Sequence, residues 1–218
     1  MRTSVGLISL FIALVVGMFW FAQGPKALPL EKLSGQGVVL LPMTRSVDDF
    51  SLVGPKGLSF TRENLLGQWS FVFFGYTSCP DICPITMSVL GQAERELGEA
   101  EKFRGILISV DPHRDDPDTM QRYVKAFSPN FIGLTGKLAQ IERLADQVAI
   151  GFEASVDVNE VGHPPYVVIM DPDGNYAGFI KPPHDANKIA IIARSLICLL
   201  YTSDAADEGL GVDLGGRR

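Results

Sequence analysis

The chain has 218 residues, 46% of them hydrophobic and 20% charged, with a formal net charge of −6. That supplies one buried core plus appendages and excludes a disordered chain. No Lys/Arg run or basic patch is present, which excludes nucleic acid as a partner.

The first element is "VGLISLFIALVVGMFWFA" (5–22), which is 18 residues long and carries no charge. At about 1.5 Å per residue it nearly matches a hydrocarbon core of roughly 30 Å. Trp20 and Phe21 near its far end suit an interfacial aromatic belt. A cleaved signal peptide would end in small residues, and "FWFAQG" does not. Residues 1–23 are therefore expected to be a single-pass membrane anchor. Arg2, ahead of the span, agrees with a domain facing outward. Residues 24–43 mix Pro, Gly and polar residues and read as a linker.

From residue 44 the pattern becomes that of a folded domain. "FSLVGPKGLSFTRENLLG" gives a short strand, a Gly-Pro turn, a second short strand and a helical turn. Residues 69–76 form a strand apolar on both faces, as expected at the centre of a covered sheet. Residues 83–99 follow a helical repeat, with Gly98 near the stop. "FRGILISVD" (103–111) is a second buried strand, "DPDTMQRYVKAF" a helix with an Asp-Pro start, and "LAQIERLADQVAIGF" another helix. "YVVIMDPDGNYAGFI" is a hairpin turning at Asp171-Pro172-Asp173-Gly174. A last helix covers 185–197. Alternating strands and helices followed by a hairpin predict an α/β fold, a mixed central sheet flanked by helices.

The final stretch, "CLLYTSDAADE" (198–208), back-translates without strain to a transposase adapter used in sequencing libraries. Residues 198–218 are expected to be a sequencing-adapter artefact, with the domain running over 44–197. On that reading Cys198 drops out, leaving Cys79 and Cys83 as the thiols.

These two cysteines lie four apart in "FGYTSCPDICPITM" (74–87), where a buried strand runs into a helix. Residues four apart on a helix share a face, so both thiols are expected to converge in front of the helix start. Pro80 and Pro84 are tolerable there because first-turn amides have no partner to lose. A helix N-terminus favours thiolate, and two thiolates suit a soft ion, above all Cu(I). A Cys79–Cys83 disulfide is the redox alternative, at the cost of distortion at the helix start. A structural zinc site would need four ligands. Of the three histidines, His113 sits in a charged loop and His184 near the last helix. His163 sits in "NEVGHPPYVVIM", on a loop entering a central strand, and is the best placed to complete the site. Asp81 and Asp111 are candidates to tune it from behind the ligands.

At this point the sequence resembles the Sco/SenC family of copper-binding assembly proteins for cytochrome c oxidase. "FVFFGYTSCPDICPITM" is similar to the family's Cys-Pro-Asp-x-Cys-Pro motif, and "ISVDPHRDDPDTMQRYVKAF" to its Val-Asp-Pro strand end and Arg-Asp-x-Pro loop. "GHPPYVVIMDPDGNY" resembles the third signature, in which a metal-binding His lies eight residues before an Asp-Pro-x-Gly turn, as His163 does before Asp171. The resemblance implies a thioredoxin-like fold and copper, as Cu(I) and also Cu(II), held by Cys79, Cys83 and His163. It implies a chaperone delivering copper to the binuclear site of the oxidase's copper-containing subunit, with a thiol-disulfide oxidoreductase as the alternative. Other periplasmic copper chaperones and thioredoxin-like reductants would be further partners. Without an Arg-rich transit peptide, the expected location is a bacterial inner (cytoplasmic) membrane, the domain facing the periplasm. Two departures stand out. Pro164-Pro165 follow the His where the family usually has Ser or Thr, placing a proline where thioredoxin-like folds have a cis-proline. Thr77-Ser78 precede the first Cys in place of the His or Ser often found there.

Overall fold

The computed structural model describes residues 28–33, 37–98, 102–152 and 164–209, and before them residues 12, 14 and 15. The expected anchor over 5–22 otherwise lies outside the described residues, as does His163. Among the described residues no helix is long and apolar enough to cross a membrane.

Within them the chain forms strands β1 (Val38–Arg45), β2 (Ser51–Val53), β3 (Ser59–Thr61), β4 (Ser70–Gly75), β5 (Arg104–Ser109), β6 (Ile132–Leu134), β7 (Val167–Met170) and β8 (Tyr176–Ile180). The helices are α1 (Leu30–Leu33), α2 (Ile82–Leu97), α3 (Pro117–Lys125), α4 (Leu138–Gln147) and α5 (Ala186–Gly209). Six strands make one sheet in the order β1-β8-β7-β4-β5-β6, and β2 and β3 pair separately. β4, β5 and β6 run parallel, whereas β7 is antiparallel to β4, β8 to β7 and β1 to β8. The α/β, mixed-sheet expectation therefore holds.

β4 is buried along its whole length, and the period-2 alternation of a strand divides its residues between two covers. Val72 and Phe74, with Ile106 and Ile108 of β5, face Phe50, Phe60 and Leu144 across one apolar gap. Phe71, Phe73 and Gly75 point the other way. Phe71 stacks on Phe103 at 4.5 Å, and a Cβ on Gly75 would meet Cys83 of α2. α2 in turn packs along α5. Central strands buried on both faces must be apolar throughout, which is why β4 and β5 stand out in the sequence.

The β7–β8 turn follows its residues. Asp171, buried, accepts from the Asp173 and Asn175 N–H groups at 3.0 and 2.7 Å through Oδ1. Gly174 takes φ +73°, a region that favours glycine. The cis peptide bond among the described residues joins Pro182 to Pro183, not Pro164 to Pro165.

Three expectations are corrected. Residues 38–43, read as linker, belong to β1. The stretch is Gly- and Pro-marked in sequence because β1 is an edge strand, largely exposed, where a proline costs no ladder bond. β1 pairs Val38 with Ile180, and β8 pairs Ile180 with Val167, so the chain enters the sheet at the end where β7 begins. β6 was not expected at all. The last helix runs on to Gly209, although burial fades from Leu196 (buried) to Cys198 (exposed).

Phe71 is fully buried in this core. Phe71→Ala is expected to cost about 3–5 kcal/mol of stability. Chemical denaturation monitored by circular dichroism measures it, and a loss under 1 kcal/mol would contradict the packing described.

Candidate metal centre

β4 ends at Gly75, and the chain turns through residues 76–81 into α2. The Cys79 N–H donates to the Tyr76 carbonyl at 3.3 Å, holding Cys79 in that turn. Asp81 stands at the N-cap position without a side-chain capping bond, and its carbonyl accepts from the Ile85 N–H at 3.4 Å. Cys83 is the second helical residue; Cys79 is not in the helix. The expectation that both cysteines share one helical face is therefore corrected. A helix reaching back to Cys79 would need an N–H on residue 84 to serve the Pro80 carbonyl, and proline has none. The thiols meet all the same, within hydrogen-bonding reach of one another, and both are free.

Cys83 is wholly buried and Cys79 only partly. Gly75 makes room for the inner sulfur: a Cβ there would lie 2.9 Å from Cys83 Sγ and 3.0 Å from the Phe73 ring. Burial pushes the Cys83 thiol well above the ordinary range. The hydrogen bond with Cys79 and the negative charge of Cys79 and Asp115 add to the rise, against a backbone contact from Tyr76. For Cys79, burial also raises the pKa, but less than its hydrogen bonds lower it. Those come from the Asp81 backbone, the Cys83 thiol and backbone, and the Tyr76 side chain, and the net direction is down. The outer thiol is therefore the one that ionises first.

The loop after β5 closes the site from the side. Val110 N–H donates to Gly75 O at 2.9 Å, extending the parallel ladder past both strands. Asp115, 1% exposed, then bridges the loops. It accepts from Thr77 N–H at 3.1 Å and Thr77 Oγ1 at 2.5 Å, and from the Ser109 hydroxyl at 2.7 Å. Sequence reasoning missed this residue. In "RDDP" it stands beside Asp116, which turns outward to cap α3 through the Thr119 N–H at 2.7 Å. Asp111, singled out from sequence, pairs instead with Arg114. Asp81, the other acidic candidate, is exposed and meets Cys79 through its backbone.

The register brings a third segment to this end of the sheet. Val167, the first residue of β7, pairs with Phe73, so Pro164–Tyr166 arrive where β4 leaves. His163 itself lies outside the described residues. His184 holds this segment, its Nε2 lying 2.7 Å from the Pro165 carbonyl, while burial lowers its pKa and that carbonyl opposes the shift. His113 is exposed. Among the described residues no cluster of three His, Cys, Asp or Glu surrounds a common point. The donors that do converge are two sulfurs, one accessible and one sealed, a set that suits a soft ion or disulfide exchange.

The SCO1/SenC family model matches residues 41–197. The mitochondrial SCO2 homologue of Mus musculus is 33% identical over 162 residues, 71% of this chain and 63% of that protein. A SCO2-like protein of Rickettsia felis is 30% identical over 184 residues, 81% of this chain and 89% of that protein. Among solved structures, Arabidopsis thaliana ScoI with copper bound superposes with a TM-score of 0.65 at 32% identity, covering 70% of this chain and 98% of that one.

The thiols should react unequally. Iodoacetamide at neutral pH is expected to label Cys79 first, and the fast phase to disappear in Cys79→Ser but survive in Cys83→Ser. Because the Cys79 pKa is lowered, its labelling should persist to below the usual thiol range near 8.5. Equal rates would refute the assignment. Asp115→Ala strands the Thr77 amide and the Ser109 hydroxyl, with an expected loss of about 1–3 kcal/mol in thermal or denaturant unfolding.

Proposed function

The chain belongs to the SCO1/SenC family, and we propose that it is a membrane-anchored copper chaperone that delivers copper to the binuclear copper site of cytochrome c oxidase. The observation that carries this reading is the sulfur pair at the carboxyl end of β4, one thiol buried and one open, on a fold shared with a copper-bound relative. Two thiolates from Cys79 and Cys83 and an imidazole from His163 would hold Cu(I), and Cu(II) as the second state. A three-ligand site leaves a side free, and Cys79 stands at the solvent edge. An incoming ligand from the oxidase's copper-containing subunit displaces Cys79 first and the buried Cys83 last. The uncharged run at 5–22 supports a bacterial inner-membrane location with the domain facing the periplasm, where other periplasmic copper chaperones would load it.

The inequality of the two thiols also supports a second reading, a thiol-disulfide oxidoreductase. Here the Cys79 thiolate attacks a partner's disulfide and expels one partner sulfur as thiolate. Cys83 then gives up its proton and attacks the mixed disulfide at Cys79, releasing the second partner thiol. The partner gains two electrons and this chain ends with a Cys79–Cys83 disulfide, which a thioredoxin-like protein would reduce.

Copper titration of the full chain in detergent separates the two. The chaperone reading expects Cys79→Ser and Cys83→Ser to abolish tight Cu(I) binding and His163→Ala to weaken it by about tenfold or more. Unchanged copper affinity in His163→Ala, together with robust turnover on a disulfide substrate, would sink it in favour of the oxidoreductase.

A further inference from the structure

His184 stands just ahead of α5. Lys181, Pro182, Pro183 and Asp185 around it are exposed, yet its own ring turns inward. Its Nε2 lies 2.7 Å from the Pro165 carbonyl. A carbonyl only accepts, so Nε2 carries the proton. Burial favours the neutral ring, which leaves Nδ1 bare, and among the described residues that nitrogen is sealed with no hydrogen-bond partner. Sealing one ring nitrogen unpaired is unfavourable and calls for a reason. The gain lies at the other end of the bond. Pro164 and Pro165 bring no N–H to anchor the entry to β7, and the Tyr166 N–H is spent locally on the Pro164 carbonyl at 2.8 Å. The Tyr166 ring stacks on Phe179 at 4.9 Å, and His184 adds a polar hold from 19 residues away. Its own backbone is set by the first turn of α5, where Asp185 takes the Lys188 N–H at 2.9 Å and the Ile189 N–H at 3.0 Å. α5 packs along α2, the helix that carries Cys83. One scaffold therefore holds the inner sulfur and, through His184, the segment that His163 leads.

We propose that His184 is a positioning residue of the copper site: by holding the Pro165 carbonyl it sets where the imidazole of His163 meets the two sulfurs. This rests on the reading of Cys79, Cys83 and His163 as the copper ligands. Each proline fixes its own φ, so few soft torsions separate the held carbonyl from residue 163, and a shift at one is passed to the other. Metal sites whose ligands are held in this way from behind typically lose about 10–100-fold in affinity when the hold is removed. His184 does not itself bind the metal, because one ring nitrogen is committed to the carbonyl and the other is sealed.

His184→Gln and His184→Leu separate the bond from the bulk, because the Gln amide replaces the Nε2–H donor and Leu, of similar size, does not. Wild type and both variants, as full chains in detergent, are titrated with Cu(I) against a competing chelator. Each is also loaded with Cu(II) for pulsed electron paramagnetic resonance, which reads the nitrogen coupling of a bound imidazole. Cys79 is alkylated with iodoacetamide in the metal-free chains. The proposal expects about a tenfold loss of Cu(I) affinity and an altered nitrogen coupling in His184→Leu, both restored in His184→Gln. Cys79 alkylation, set by its own turn and by Asp115, stays at the wild-type rate in both. In wild type, nitrogen NMR is expected to show His184 protonated at Nε2 before and after Cu(I) loading. Loss of that proton on loading makes His184 a ligand and overturns the inference. A His184→Leu chain with wild-type affinity and coupling overturns this inference alone. So does a loss that Gln does not restore, or one accompanied by altered alkylation, since either assigns the ring a structural role. Wild type that binds no copper, or His163→Ala that binds it with unchanged affinity and nitrogen coupling, overturns the functional reading and this inference with it.

Discussion

The thiol pair inherits its geometry from one buried carboxylate. β4 and β5 run parallel and end together, so the loops leaving them would lie side by side in any case. What fixes their spacing is Asp115, which reaches from the second loop to the Thr77 amide and hydroxyl of the first and to Ser109 at the strand end. Burying a carboxylate is expensive unless donors replace its water, and here three do. A conformation in which the loops drift apart would strand that charge, so the turn carrying Cys79 stays against the sheet.

The same charge helps divide the labour between the sulfurs. It stands behind the inner cysteine and adds to the cost of ionising it, whereas the outer one draws on backbone donors of the turn. Gly75 completes the division. Without a side chain at the end of β4, the sulfur of Cys83 settles against the strand instead of facing water. An inert thiol and a reactive one four residues apart thus follow from a missing methyl group, a turn and a carboxylate.

Much of this was legible in the sequence. Continuous apolar runs gave β4 and β5, an apolar run and an Asp-Pro-Asp-Gly turn gave β7 and β8, an Asp-Pro start gave α3, and helical periodicity gave α2 and α4. What was not legible depended on tertiary packing. β6 is three residues with a glycine in the middle; a Cβ on Gly133 would lie 2.7 Å from the Met120 backbone, so the strand exists only because α3 crosses it closely. β1 looked like linker because an exposed edge strand has no need of an apolar pattern. The route by which the cysteines converge was misjudged because four-residue spacing suggests one helix, while the missing N–H of Pro84 forbids it. Asp115 was hidden among neighbours of the same kind: in a run of acids, nothing in the letters tells which one turns inward.

The edge strand has a consequence for how the molecule is held. Val38 pairs with Ile180, Ile180 with Val167, and Val167 with Phe73, which places the point where the chain joins the sheet level with the mouth of the site. β1 stands three strands from β4, about 14 Å at the usual strand spacing. Ahead of that strand the chain is itself held, with Leu33 fully buried and the Leu28 N–H donating to Ser195 Oγ of α5 at 2.7 Å, so a pull on the chain before Leu28 meets α5 before it meets the rim that carries the sulfurs. The edge strand beside the mouth is thereby shielded from whatever acts on the chain before Leu28, and the site keeps its shape independently of that segment.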